Sequence, residues 1–188
     1  RELDAAHDFT TDGGKTFPHR GNGIKVPTLR EMLTALPGAR VLVELKGEPK
    51  LADAAIAIIN EAKANDRVLI ASFVPETMDR ARALAPNLAY CYDMKTGMSL
   101  LMALRGSKWD AYSPQADVLS VDEGMIPKYK ITPEEIAKLQ AKGIRFQVHT
   151  INDPARLREF VQLGVDGILT DRPDALAQVI AEMKLAAR

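Results

Sequence analysis

One short apolar run carries two ionisable side chains at a spacing suited to chemistry. Along Val41-Leu42-Val43-Glu44-Leu45-Lys46, a strand's period of two puts Leu42, Glu44 and Lys46 on one face and Val41, Val43 and Leu45 on the other. A carboxylate so placed can hold a hard divalent cation, and an ammonium beside it can take a phosphate oxygen. The same pair also reads as a buried ion pair without chemistry, since charge inside a protein needs a partner or a role. His149 stands in a second such run, Gln147-Val148-His149-Thr150-Ile151-Asn152. It reads as a substrate contact able to titrate near neutral pH, and equally as a neutral, hydrogen-bonded imidazole on an inward strand face. Asn152 and Asp171 follow strand ends, where Asp171 also reads as a helix cap. Phe73 closes another apolar run and reads as pocket wall or as core.

The elements that must position these residues repeat from residue 38 onward as short β-branched runs alternating with longer helical patterns, the mark of βα units. The runs predict six strands, at Val41 to Lys46, Val68 to Phe73, Leu88 to Tyr92, Val118 to Asp122, Ile144 to Thr150 and Gly167 to Thr170. Capping chemistry opens the helices between them. Thr132-Pro133-Glu134-Glu135 and Thr28-Leu29-Arg30-Glu31 each place a hydroxyl at the N-cap and a carboxylate at N3. Asp153-Pro154, Pro75-Glu76 and Pro173-Asp174 open three more, Leu51 to Ala64 is an apolar-faced helix, and Gly143 and Gly164 fit helix ends. Residues 1–28 read as a loop leading into a short helix at Thr28 to Leu36. A stretch from Met94 to Pro114 reads as an insert whose core, Gly97 to Leu104, is a short helix that covers a pocket or packs on the barrel.

Near-continuous apolar strands such as Val68 to Ala71 predict a parallel sheet, and the expected fold is a (β/α)8 TIM barrel of which this chain supplies about six βα units. A complete barrel takes about 250 residues, and the chain has 188. An open doubly wound sheet is the alternative that needs no further piece. One domain is expected over residues 1–188, with 1–37 as lead-in and 38–188 as repeated units with the insert at 94–114. In a barrel the apolar strand faces meet the helices, so Glu44 and Lys46 point into the mouth at the strands' C-terminal ends.

Composition narrows the partners. A formal net charge of +0 with 46% hydrophobic residues offers no field for nucleic acid or acidic lipid. The lone Cys91 excludes an internal disulfide framework and a multi-cysteine zinc site and leaves cytoplasmic, periplasmic and secreted readings open. No apolar run approaches the roughly 18 residues of a membrane span, and Arg1 opens a polar segment rather than a signal sequence, so a soluble chain is expected.

Four blocks, taken in order, are familiar: Ile24 to Leu33, Val43-Glu44-Leu45-Lys46, Ala71-Ser72-Phe73, and Gly164 to Pro173. Together they resemble the successive blocks of the glycerophosphodiester phosphodiesterases, and Asp12-Gly13-Gly14-Lys15-Thr16-Phe17 looks like the loop before that family's Pro-Thr-Leu helix. The resemblance implies hydrolysis of a glycerophosphodiester to glycerol 3-phosphate and an alcohol, served by a divalent metal, Mg or Ca, and so a place in lipid and glycerol metabolism. It makes Glu44 a metal ligand and Lys46 the catalytic neutraliser of phosphate charge. Lys46, Phe73, His149 and Asn152 become substrate contacts, with His149 where the family usually has a tryptophan.

The family's other elements are a His-Arg-Gly after the first strand, a Glu-Asn, a Glu-x-Asp and a His-Asp, and the chain does not match them. His19-Arg20-Gly21 spells the tripeptide but follows a glycine-rich loop instead of an apolar strand, which makes His19 a loop residue, and His7 reads as a surface histidine. Without a general acid or base the chain alone is expected to be inactive. Two readings follow: a working enzyme whose upstream segment supplies the histidines, or a non-catalytic barrel fragment that binds a phosphate-bearing ligand or a partner chain. A phospholipase-D-like sphingomyelinase barrel is weaker, because a single cysteine cannot form the disulfides of secreted toxins.

Overall fold

The computed structural model describes residues 3–183; Arg1, Glu2 and the last five positions of the expected domain lie outside the described residues. The strands are β1 (Val41–Glu44), β2 (Val68–Ala71), β3 (Ala89–Tyr90), β4 (Val118–Asp122), β5 (Arg145–His149) and β6 (Gly167–Ile168). The helices are α1 (Leu29–Ala35), α2 (Lys50–Glu61), α3 (Pro75–Leu84), α4 (Met94–Arg105), α5 (Met125–Tyr129), α6 (Pro133–Ala141), α7 (Pro154–Leu163) and α8 (Pro173–Glu182). The strands form two parallel sheets, β1-β2-β3 and β4-β5-β6. An isolated parallel bridge between Cys91 and Val118 joins them. Among the described residues β1 pairs with β2 alone and β6 with β5 alone.

Strand alternation decides which side meets the helices. Val68, Ile70, Tyr90 and Leu45 sit in one buried cluster with Leu33, Ile56, Ile59 and Met78 of α1, α2 and α3, and Val41 and Val43 pack against it. Leu119, Phe146 and Val148 sit in a second cluster with Leu100 of α4, Ile136 of α6, Leu157 and Phe160 of α7 and Val179 of α8. Leu42, Leu69, Ala89, Ser120 and Gln147, on the opposite faces, are only half-buried. The sheets therefore have one face packed under helices, whereas a parallel sheet ordinarily needs cover on both.

Several predicted strands overrun the observed ones: Lys46, Phe73 and Thr170 all lie past strand ends. The capping boxes at Thr28 and Thr132 both form. Asp153 caps α7, and Gly143 and Gly164 take left-handed φ of 78° beyond helix ends, where a side chain would be strained. The insert is a twelve-residue helix, α4, whose capping box of Asp93 and Thr96 begins it directly after β3. Leu100 and Leu104 bury it in the second cluster, so it is core rather than cover. Short α5 has no side-chain cap, and no sequence signal marks it.

The N-terminal ends of the strands are braced by one device used twice. Asp117, just before β4, accepts the Tyr90 amide of β3 at 2.8 Å. Asp166, just before β6, accepts the Phe146 amide of β5 at 2.9 Å, together with Gln140 Nε2 and the Arg145 guanidinium. Arg67 completes this face by donating to the carbonyls of Leu33, Leu36 and Ala39 at the end of α1.

Asp93 joins α3 to α4 by accepting from Arg82 at 3.0 Å while capping α4. Burial pushes its carboxyl up, but hydrogen bonds from Thr96 and Arg82 outweigh that and hold it below the ordinary aspartate value. Asp166 has the same balance, with burial opposed by the Phe146 amide, Gln140 and Arg145. A folded value below the unfolded one stabilises fully above the unfolded value and fades as pH falls through the folded value. Unfolding free energy from urea titrations is therefore expected to drop below about pH 4. Asp93→Asn is expected to shallow that acid limb and to cost about 2 kcal/mol at neutral pH; an unchanged limb would exclude Asp93 from it.

Candidate functional site

Glu44 ends β1 on the face away from the helices, and the chain just after it is pinned from two sides. The Leu45 amide donates to the Ala71 carbonyl at 2.8 Å. Buried Ser72 donates its hydroxyl to the Leu45 carbonyl at 2.7 Å, and Thr77 of α3 donates to the Gly47 carbonyl at 2.6 Å. Gly47 has a φ of 152°, which lets the chain leave the strand there. These bonds fix the direction in which Glu44 and Lys46 leave the backbone.

Lys46 Nζ stands 3.3 Å from Glu44 Oε2. The lysine side chain is 77% exposed against 29% for the glutamate, so the pair adds little stability and the ammonium is free to turn to another anion. Glu44 Oε1 is buried and, among the described residues, has no hydrogen-bond partner. An orphaned carboxylate oxygen is a group that a cation fits. A full site needs more ligands, and the described residues contain no cluster of three or more His, Cys, Asp or Glu able to hold a metal. Cys91, on β3's continuation, is pushed up to about 12 by burial, with the Asp117 and Glu44 carboxylates adding to the effect. Its thiol is therefore protonated and no nucleophile.

A second group lies on the β4-β5 sheet. His149 pairs in register with Asp122, on the opposite face from the core residues Phe146 and Val148. Its Nδ1 is 3.1 Å from Ser120 Oγ, and Gln147 Nε2 donates to the same hydroxyl oxygen at 3.2 Å. Gly167 leaves the room this needs, because a Cβ there would stand 3.2 Å from the Gln147 side chain. His149 is half-buried and hydrogen-bonded on the inward face of the strand.

A third group ties the ends of β5 and β6 together. Asn152 Oδ1 accepts the Asp171 amide at 2.8 Å and the Thr170 hydroxyl at 3.1 Å, while its Nδ2 donates to Asp171 Oδ2 at 2.8 Å. Asp171 does not cap α8; Arg172 is the N-cap and makes no side-chain cap bond. Phe73 is not core either, being 68% exposed.

No hydrogen bond or ion pair links the three groups to one another among the described residues, and neither of two surface hollows, around Lys25 to Glu31 and around Asn60 to Leu88, includes any of their members. His19 lies in the lead-in loop with its ring 5.3 Å from that of Phe9. Arg20 donates to the His7 carbonyl, and the Gly21 amide to Asp4. The exposed His7 sits 2.8 Å from Asp8. Sequence reasoning missed Ser72 and Ser120. Ser72 sits within the quoted Ala71-Ser72-Phe73 block, but Ser120 bears no motif, because its partner is set by strand register.

The glycerophosphoryl diester phosphodiesterase family model matches residues 1–175. Among curated proteins, the "Probable glycerophosphodiester phosphodiesterase 2" of Mycobacterium tuberculosis is 31% identical over 166 residues, which is 85% of this chain and 62% of that protein. The chain thus spans about three fifths of that relative's length. A crystal structure of a glycerophosphoryl diester phosphodiesterase domain from Mycobacterium tuberculosis matches with a TM-score of 0.76 at 16% identity, over 96% of this chain and 72% of that one. An Oleispira antarctica phosphodiesterase, in complex with the product sn-glycerol 3-phosphate, matches with a TM-score of 0.64 at 20% identity, over 82% of this chain and 61% of that one. At these identities the likeness shows the fold, a TIM-barrel-like α/β architecture.

The Asn152 cluster yields a test of its own. Asn152→Ala removes three hydrogen bonds on exposed groups and is expected to cost about 1 kcal/mol. Amide exchange at Thr170, Asp171 and Arg172 should speed up while that of β5 stays slow; uniform exchange would mean the bonds do not hold the loop.

Proposed function

The chain belongs to the glycerophosphoryl diester phosphodiesterase family, and from that premise we propose that the whole protein hydrolyses a glycerophosphodiester to glycerol 3-phosphate and an alcohol. The observation that carries this reading is the end of β1, where Glu44 keeps a buried oxygen without a partner beside an exposed lysine. Glu44 would be one ligand of a divalent cation, Mg or Ca. Such a cation polarises a phosphoryl oxygen when bound.

Lys46 swings from Glu44 to a non-bridging phosphate oxygen and neutralises the charge that grows there as water attacks phosphorus. Its four-carbon stem and exposure make that movement cheap. Phe73, exposed beyond β2, and His149 and Asn152, at and beyond the end of β5, are the proposed walls and contacts for the rest of the substrate. The remaining metal ligands and the proton donor for the leaving alcohol come from residues other than those described. Among the described residues β1 and β6 each keep an unpaired edge, which supports two further βα units that close the barrel in a single domain.

The test uses the intact protein with glycerophosphocholine and a divalent cation, following release of glycerol 3-phosphate. Release that chelator abolishes and cation restores is the expected result. Glu44→Gln should raise the cation concentration needed for half-maximal activity by about tenfold or more, at least the cost of losing an outer-shell partner. Lys46→Ala should lower kcat by about 10²-fold, with melting temperature unchanged. No glycerol 3-phosphate under any cation would leave phosphate-ligand binding without catalysis as the reading.

A further inference from the structure

Three side chains on the uncovered face of β4 and β5 form a chain whose order has a chemical meaning. Gln147 Nε2 donates to Ser120 Oγ at 3.2 Å, and Ser120 Oγ is 3.1 Å from His149 Nδ1. A hydroxyl has one proton to give and lone pairs to receive. The Gln147 amide takes one of the hydroxyl's two lone pairs, and among the described residues Nδ1 is the only acceptor within reach of the Ser120 proton, so that proton is assigned to Nδ1. A neutral imidazole that accepts at Nδ1 carries its own proton at Nε2. Among the described residues Nε2 has no hydrogen-bond partner, and it is not one of the buried unpartnered atoms. It is thus an accessible N–H at the C-terminal end of a parallel strand, the side on which barrels of this architecture bind substrate.

We infer that Gln147 and Ser120 are positioning residues that hold His149 as its Nε2–H form, so that it presents one directed donor to an oxygen of a phosphate-bearing polyol at the mouth. The ligand class rests on the phosphodiesterase reading; the fixed tautomer rests on the three side chains alone. The register sets the geometry, since Ser120 pairs with Gln147 and Asp122 with His149. Glycine at 167 keeps the space into which Gln147 must fit. A donor of this kind rejects a substrate lacking the matching oxygen, because the site's polar group is then left unpaired.

The experiment is long-range ¹H–¹⁵N correlation of the histidine rings in the full chain under alkaline conditions, where imidazoles are neutral, with and without saturating sn-glycerol 3-phosphate. The expected wild-type spectrum shows His149 with Nε2 protonated and Nδ1 bare. Ser120→Ala should bring the two nitrogen resonances together as the tautomers mix, and Ser120→Thr, which keeps the hydroxyl, should restore the wild-type pattern; a mere packing role for Ser120 predicts neither. Addition of glycerol 3-phosphate should shift Nε2. A protonated Nδ1 in the wild type, as the reverse order of bonds would give, overturns the inference, as does a Ser120→Ala spectrum identical to wild type. If backbone amide ¹H–¹⁵N correlations of the same sample show the ligand perturbing Glu44 and Lys46 while Nε2 stays unmoved, the donor role falls while the phosphodiesterase reading stands. If it perturbs none of the three, both the ligand class and the donor role fall, and only the fixed tautomer is left.

Discussion

A strand can offer only every second side chain to the helices that cover it, and that rule fixes which side chains of this chain stand on the uncovered face. Leu45, Val68, Ile70, Leu119, Phe146 and Val148 are committed to the two buried clusters. Each such side chain contributes about 1.5–3 kcal/mol when fully buried. Slipping any strand by one residue would expose that set and bury its neighbours. Glu44, Ser120, Gln147 and His149 are therefore held on the other face by packing in which they take no part. Their placement is enforced from behind, and substitutions in the clusters would move it.

The two ends of the strands carry different loads. At the N-terminal ends, Asp117, Asp166 and Arg67 spend their polar atoms on backbone amides and carbonyls, so that neighbouring units cannot slide. At the C-terminal ends the polar atoms are only partly used among the described residues: Glu44 Oε1 and His149 Nε2 have no partner there, and Lys46 is mostly solvated. Satisfied groups make a rigid base, and unsatisfied ones face the side where ligands bind in folds of this type. Asn152 stands between the two cases, because it holds the chain after β6 by backbone and side-chain bonds at the functional end.

Much of this arrangement is legible in the residues. Apolar runs locate all six strands, and Thr28, Thr132 and Asp153 announce their helices because capping is a local contact between neighbours in sequence. The face that Glu44 and Lys46 occupy follows from period alone. The strand ends are read too long at Lys46, Phe73 and Thr170, since pairing stops where the partner strand stops and no local signal reports that. The Ser120-His149 contact and the Asp117 and Asp166 braces were invisible for a related reason. Each joins residues about 20 to 30 apart in sequence through a register that exists only once the sheet has formed. Asp93 was passed over because its capping partner, Thr96, is a hydroxyl rather than the usual carboxylate.

Glu44 is where stability and chemistry part. A buried oxygen without a partner costs about 1–3 kcal/mol, and an ammonium that is mostly in water returns at most about 1 kcal/mol. An apolar residue of similar size at the end of β1 would serve folding better. On the proposed reading, a bound cation would satisfy the orphaned oxygen, and the energy of binding it would become folding energy for the end of β1. Lys46 would then turn from the carboxylate toward the ligand's phosphate. On that reading, one carboxylate that is costly when empty and one lysine that is loosely held would act as a coupled pair.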